Sequence, residues 1–257
     1  MAWIVAVWVS FAELCAQTAE RLPAFEVVSI RPSGANSRTR GIYTFPGGRV
    51  TGENRTLSDL IEEAFDLQRF QVLGGEKWVH EDRYDFDARP PKSSKSSQAN
   101  PSSIKLPPNE EQRGMLRAML LDRFQLKYHM ETREGPVYFL EKSGKELKLA
   151  PSKNPAEFPW VGFRGEEAKS TIGLGGENAP MPLMAKRLST LLARIVVDRT
   201  RLEGSFDFGY QYVADDPKGE RIHAIFVSVE AIGLKLESGK GPIRYLVIDS
   251  ASKPSEN

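Results

Sequence analysis

The sequence predicts an α+β protein built from two tandem, duplicated β-α-β-β-α-β-β modules, each a small mixed sheet with helices packed on one face. Three observations carry this. "GENRTL" at Gly52–Leu57 returns as "GENAPM" at Gly176–Met181, 124 residues later. "RYDFDA" at Arg83–Ala88 returns as "SFDFGY" at Ser205–Tyr210, at an offset of 122. Further on, "QLKY" (Gln125–Tyr128) meets "GLKL" (Gly233–Leu236) at 108, and "GPVYFL" (Gly135–Leu140) meets "GPIRYL" (Gly241–Leu246) at 106. Order is kept throughout, and internal repetition of this kind is the first signal to test for in a chain. The largest drop in offset falls where the first copy carries "PPKSSKSSQANPSSIKLPP" (Pro90–Pro108), a Ser/Pro/Lys-rich stretch that cannot bury a core.

The elements follow from periodicity. "FEVVSIRP" (Phe25–Pro32) reads as an additional strand without a counterpart, and "RVTGE" as a short strand. "TLSDLIEEAFDL" sets Leu57, Leu60, Ile61, Ala64 and Phe65 on one helical face, with Thr56 and Asp59 as a capping box. "FQVLGG" is a strand stopped by two glycines. In "RYDFDA", Tyr84 and Phe86 alternate with Asp85 and Asp87, the pattern of a half-buried strand. "NEEQRGMLRAMLLDRF" is a helix capped by Asn109 with Gln112 at its third position, and Met115, Met119 and Leu120 form its buried stripe. "QLKYHMETREGPVYFLEKS" reads as a hairpin turning near Glu134-Gly135-Pro136. In the second copy "IHAIFVSVEAI" is β-branched, but Ile222, Ile225, Phe226 and Val229 fit a helical face, as does its partner in the first copy.

The N-terminus stands apart. Ala2–Ala12 is an apolar run of 11 residues, short of the ~20 that a spanning helix needs. It fits the core of a secretory signal with small residues near Ala16, although no basic residue precedes it. The expected organisation is a signal segment at 1–16, a first module at 24–150 with a flexible loop at 90–108, a linker at 151–169 and a second module at 170–257. Cys15 is the sole cysteine, so cleavage after Ala16 leaves no disulfide, thiol nucleophile or thiolate ligand. The expected location is periplasmic or secreted, with no stable membrane span after cleavage. A net charge of +1 gives no electrostatic footprint for nucleic acid.

Two resemblances stand beside this reading. "FEVVSIRPS", "RYDFDA", "LLDRFQLKYHMETREGPVYFL", "VVDRTRLEGSFDF" and "GPIRYLVIDSASKPSEN" resemble a soil-associated, uncharacterised family of exported proteins expanded in Acidobacteria. That resemblance covers essentially the whole mature chain and implies export, but no activity. Arg201 departs from it, since the family's turn usually has Gly there. Each half, as in "MAKRLSTLLARIVVDRTRLEGSFDF" followed by "GLKLESGKGPIRYLVID", also resembles the short N-terminal module of secretins and TonB-dependent receptors. That implies protein binding in the periplasm without chemistry.

No catalytic, cofactor-binding or metal site is expected. His80, His129 and His223 show no metal-ligand spacing, and no G-x-S-x-G is present. "GLGG" (Gly173–Gly176) lacks the rest of a phosphate loop and reads as a flexible strand edge; "SGKGP" (Ser238–Pro242) reads as a hairpin turn. Four surface candidates remain. Asp85 and Asp207 occupy matching positions between aromatics. As a pair they would do acid–base work only if they met in space; alternation instead points each to a solvated outer face. Trp78 and Trp160, in loop-like stretches, would stack on sugars or peptides, or close off cores. The expected function is that of an exported, non-enzymatic envelope protein whose modules bind another protein or peptide. The alternatives are a carboxylate-dependent exported hydrolase and a binder of extracellular polysaccharide.

Overall fold

The computed structural model describes residues 23–34, 39–94, 107–153, 158–164, 170–216 and 219–255. The expected signal segment and most of the 90–108 stretch therefore lie outside the described residues. The fold is α+β. In chain order the first half holds β1 (Val27–Pro32), β2 (Gly41–Thr44), β3 (Val50–Thr56), α1 (Leu57–Phe65), β4 (Val72–Gly74), α2 (Lys77–Glu81), β5 (Arg83–Arg89), α3 (Glu110–Arg123) and β6 (Lys127–Lys142). Then come β7 (Ala150–Pro151), β8 (Trp160–Arg164), β9 (Thr171–Pro180), α4 (Met181–Leu192), β10 (Val196–Asp198), β11 (Ser205–Val213), α5 (Arg221–Ala231) and β12 (Leu234–Ser250).

Local chemistry fixes the helices. Both ends of the Thr56–Asp59 capping box are made at the start of α1, and Asn109 with Gln112 makes another at the start of α3. Each satisfies backbone N–H groups that have no partner inside the helix. Leu57, Leu60, Ile61 and Ala64 of α1 are buried as the spacing predicts, as are Met115, Met119 and Leu120 of α3. In the second half α5 is a helix despite its β-branched content, and it buries Ile225 and Val229. Ile222 is left exposed on its first turn.

Twelve strands form three four-stranded sheets among the described residues. Two are antiparallel, with orders β1-β5-β3-β2 and β7-β11-β9-β8. The third is mixed, with order β10-β6-β12-β4, its outer strands parallel to their neighbours. β6 and β12 form its centre and pair antiparallel from Leu234–Lys142 to Ser250–Lys127.

That pairing corrects the predicted hairpins. Glu134-Gly135-Pro136 and "SGKGP" lie in the middle of continuous strands of 16 and 17 residues. Gly135 and Gly241 sit opposite each other, and neither has a positive φ. The two prolines are tolerated because each strand is an edge at that point. β10 reaches β6 only at Tyr138–Leu140, and β4 reaches β12 only at Leu246–Ile248. A missing N–H costs nothing where it faces no acceptor. The 151–169 span is also more than a linker, since it holds β8, paired along β9. "GLGG" lies in β9, an interior strand between β8 and β11, rather than at an edge. Arg201, at the place where the resembled family has Gly, adopts the left-handed conformation that Gly favours, with φ 56°.

The ribbon of β6 and β12 joins two cores. The first, under α1 and α3, includes Leu246 and Ile248 from β12. The second, under α4 and α5, includes Leu140 from β6. Each half thus supplies the strand that closes the other half's core. The C-terminal tail seals the first half: Ser252 N–H donates to Phe124 O at 2.7 Å, and Lys253 pairs with Asp82 at 2.6 Å. A chain stopped at residue 150 lacks β12 and is expected to show no cooperative unfolding transition. The full chain is expected to unfold in a single one by circular dichroism in urea. A well-ordered half-chain, or two separated transitions in the whole, would refute this exchange.

Candidate functional site

The repeated "GEN" is a structural joint. In β3 the register with β5 slips between Gly52 and Arg55, and Asn54 takes φ 55°. In β9 Asn178 takes φ 46°, and the register with β11 slips between Phe206 and Phe208. A bulge leaves a backbone N–H without a ladder partner, and the aspartates supply one. Asp85 Oδ1 accepts from Asn54 N–H at 2.9 Å and from the Ser33 hydroxyl at 2.7 Å. Asp207 Oδ1 accepts from Asn178 N–H at 2.8 Å, while Lys153 N–H reaches Oδ2 at 3.3 Å. The Asn178 N–H is the main cause holding Asp207 below the usual carboxylate range. The glycine before each bulge makes room for an aromatic: a Cβ at Gly52 would enter the Phe86 ring, and one at Gly176 the Phe208 ring. Asp85 and Asp207 thus face outward as alternation predicts, but each is a clamp in its own sheet. Periodicity alone gave no sign of that role.

Asp85 borders a cavity of ≈ 640 Å³ on the outer face of the first sheet, shared with Arg31, Arg49 and Asp87. Asp207 is not among its lining residues. The charges there are matched: Arg49 Nε donates to both oxygens of Asp87 at 2.9 and 3.1 Å, which raises the Arg49 pKa.

Neither tryptophan lies in a loop. Trp78 is in α2 and packs on the first core, with Lys253 Nζ 5.7 Å from its ring centre. Trp160 opens β8 in the other half, under the Arg164 guanidinium at 5.0 Å. A single aromatic platform therefore does not form from them. His80 and His223 stand in α2 and α5, and His129 lies on β6 between Glu131 and Asp249, which raise its pKa. Among the described residues no three His, Cys, Asp or Glu side chains are placed to hold a metal ion.

A groove of ≈ 870 Å³ runs between α1 and α4, where the two halves meet. Gln68 links them, donating to Lys186 O at 3.3 Å and accepting from the Thr190 hydroxyl at 2.8 Å. Lys186 also pairs with Asp66. Inside the groove Asp59 is only 5% exposed. Arg40 donates to both its oxygens at 2.9 and 2.8 Å, and Thr56 N–H adds a third bond at 3.0 Å. Burial raises its pKa, but these bonds and Arg55 outweigh that and hold it below the usual value. Its acceptor sites are committed to the fold. One turn on, Glu62 is pushed up to about 7, by burial first and then by the Asp59 charge. Its Oε1 is buried without a hydrogen-bond partner. The sequence could not have flagged Glu62, because its perturbation depends on groups assembled by the fold.

The antiparallel sheet β7-β11-β9-β8 carries the other notable surface. In the first sheet, β1 covers β5 from Tyr84 to Arg89. In this second antiparallel sheet, β7 covers β11 only at Phe206 and Asp207. From Phe208 to Val213, β11 has β9 on one side and no described strand on the other. Ala88 is fully buried beneath β1, whereas Tyr210, at the matching offset of 122, is 37% exposed and Val213 is 73% exposed. This open stretch contains no charged residue and no proline, the usual protections of an edge.

These features define an α+β protein of three small sheets joined by an exchanged central ribbon. Residues 58–251, about three quarters of the chain, match the family described as protein of unknown function (DUF3738), and the chain belongs to that family. No curated protein and no solved structure matches it.

Two outcomes follow. Replacing Asp85 with Ala is expected to speed hydrogen exchange at the Asn54 amide and lower the melting temperature, with β9 and β11 unchanged; unaltered exchange at Asn54 would remove the clamp. For Glu62, the folded state holds a proton that the unfolded chain releases above about 4.5. Its contribution therefore makes stability fall as pH rises from about 4.5 to about 7, and level off above. Substituting Gln is expected to flatten that slope and to raise stability at pH 8 by about 1–2 kcal/mol, allowing for partial exposure. Urea titrations at pH 5 and 8 measure this, and an unchanged slope would contradict it.

Proposed function

We propose that this chain is an exported, non-enzymatic protein of the bacterial envelope that recognises another protein or peptide by strand addition. The observation that carries the reading is the stretch of β11 along Phe208–Val213, which has no second partner strand among the described residues and is uncharged and free of proline. An open edge offers backbone donors and acceptors in register, so a partner gains affinity without a deep pocket. Export is supported by the short apolar run at Ala2–Ala12 and the small residues near Ala16. The acidobacterial, soil-associated family resemblance and the likeness of each half to secretin and TonB-receptor modules favour the same setting. Among the described residues no helix is long and apolar enough to cross a membrane.

We read the two halves as duplicates that diverged at this edge. The matched bulges at Asn54 and Asn178, the matched clamps at Asp85 and Asp207 and the like strand orders of the two antiparallel sheets support that. Asp85 and Asp207 are each committed to a bulge, which favours the binding reading over a hydrolase that would use them. A photo-crosslinking residue placed at Tyr210 in the exporting bacterium tests the proposal. Discrete adducts to an envelope protein are expected there, and none from the same residue placed at Ser29 on the first sheet. No adduct at Tyr210 would defeat the reading.

A further inference from the structure

Resting on that reading, we infer that the β11 edge takes an extended segment of about six residues, antiparallel to β11. The segment carries β-branched apolar side chains at alternate positions, an uncharged middle and a basic N-terminal end. The first sheet shows what such an edge holds. There β1 runs antiparallel to β5, with Val28 opposite Ala88 and Ile30 opposite Phe86. Ile30 is buried and Val28 packs on the first core, while Val27, Ser29 and Arg31 border the outer cavity. Directly opposed residues in a ladder share a face. At the offset of 122, Phe86 and Ala88 correspond to Phe208 and Tyr210. An incoming strand would therefore set apolar residues opposite Phe208, Tyr210 and Tyr212, and polar ones between them.

The exposure pattern agrees with a missing layer. Phe208 is already buried in the second core, Tyr212 is half-buried beside His223, and Tyr210 next to them stays partly in water. A β-branched side chain laid against Tyr210 would remove that ring from solvent, as β1 does for Ala88.

Charge sets the end chemistry. β11 runs out into exposed Asp215 and Asp216, with Glu220 close by: Glu220 N–H donates to Asp216 O at 2.9 Å. An antiparallel partner brings its N-terminal end there, so a lysine or arginine is favoured at that end. The same charges weigh against a second copy. Two β11 strands paired about a two-fold axis at Gln211 would set Asp207 of one opposite Asp215 of the other. Nor do the other long open edges compete. The unpaired side of β6 carries His129, Glu131, Arg133 and Glu134, and that of β12 carries Lys235, Glu237, Lys240 and Arg244. Such charges repel an added strand.

The probe is the capped peptide KTVTVTI, which places its valines opposite Tyr212 and Tyr210, its isoleucine opposite Phe208 and its lysine next to Asp215. Saturable binding to the full chain is expected, with slowed hydrogen exchange confined to Gly209–Val213. N-methylation of the peptide on the side facing β11 keeps the side chains and removes the backbone donors. It is expected to weaken binding roughly 30-fold or more. Exchanging the lysine for glutamate is expected to weaken it about 5-fold at low salt, with the difference fading at high salt. A Tyr210→Lys chain that keeps its circular dichroism spectrum should lose the peptide. Absence of binding, protection elsewhere, or indifference to N-methylation would overturn the assignment. So would protection of Gly209–Val213 that grows with protein concentration alone together with a dimer in sedimentation, which would make a second copy the occupant. Adducts at Tyr210 without peptide binding would sink only the side-chain pattern assigned to the incoming segment; absence of adducts sinks the interaction reading beneath it.

Discussion

Everything else in the molecule hangs on the pairing of β6 with β12. A two-stranded ribbon of that length is marginal by itself. Here it is held because each end is buried in a different core. Leu140 enters the second core from the first half of the chain, while Leu246 and Ile248 enter the first core from the second half. Fully burying an aliphatic side chain contributes about 1.5–3 kcal/mol. Neither half could give up the exchanged strand without opening a gap beneath its own helices. The short parallel strands β4 and β10 follow from the same exchange, since each docks on the ribbon strand that completes its core. The groove between α1 and α4 is a further consequence. The ribbon brings the halves together, and Gln68, Thr190, Lys186 and Asp66 join them there.

The buried charges of that groove show what such a junction costs. Asp59 is held by Arg40 and by the capping interaction of α1, so its charge is offset where it stands. Glu62, one turn later on the same helix, has no comparable donor and meets the Asp59 charge as well. A carboxyl in that position stays protonated to higher pH than in water, because desolvation and a like charge both disfavour ionisation. Perturbed carboxyls gather at functional sites, but they also arise where two packed surfaces meet. Here both oxygens of the neighbouring carboxylate are already engaged by Arg40 and Thr56, which favours the second origin.

Much of the local structure was legible in the sequence. The capping residues Thr56 and Asn109, the buried faces of α1 and α3 and the alternation in β5 are all short-range patterns, and each took its expected form. What failed were inferences that depended on neighbours far away in the chain. Gly135-Pro136 and Gly241-Pro242 carry the chemistry of a turn, yet both run straight, because an edge position removes the penalty on proline and a long partner strand lies opposite. "GLGG" looked like a strand edge from composition, but its glycines allow close approach: a Cβ at Gly173 would meet the Tyr210 backbone, and one at Gly176 the Phe208 ring. Helix α2 is five residues long, too short for periodicity to show, so Trp78 reads as a loop residue from sequence. Of the candidate site, the pairing of Asp85 with Asp207 by position was visible. Their task as bulge clamps was not, because it requires knowing that Asn54 and Asn178 are left-handed.

The same comparison between halves explains why the β11 edge invites a functional reading and the long edges of the ribbon do not. An open strand is a hazard for any soluble protein, and most edges carry a device against it. The first half covers β5 with β1, and the ribbon lines its two open sides with alternating charge. Among the described residues, β11 has neither device along Phe208–Val213. Nor is the gap a fault of length, since the chain does begin to lay a strand there. Ala150 and Pro151 pair with Asp207 and Phe206 in the register that β1 uses at Arg31 and Pro32. The chain diverges immediately before that pair. Lys148 N–H donates instead to Ile232 O at 3.0 Å, and Leu149 packs against the second core. Those contacts hold the approaching segment away from the rest of β11, so the edge cannot be closed by sliding β7 along it. The stretch is therefore kept open by specific interactions while its sequence stays free of charge and proline. That combination is hard to explain as neglect, and it is what an acceptor for an incoming strand requires.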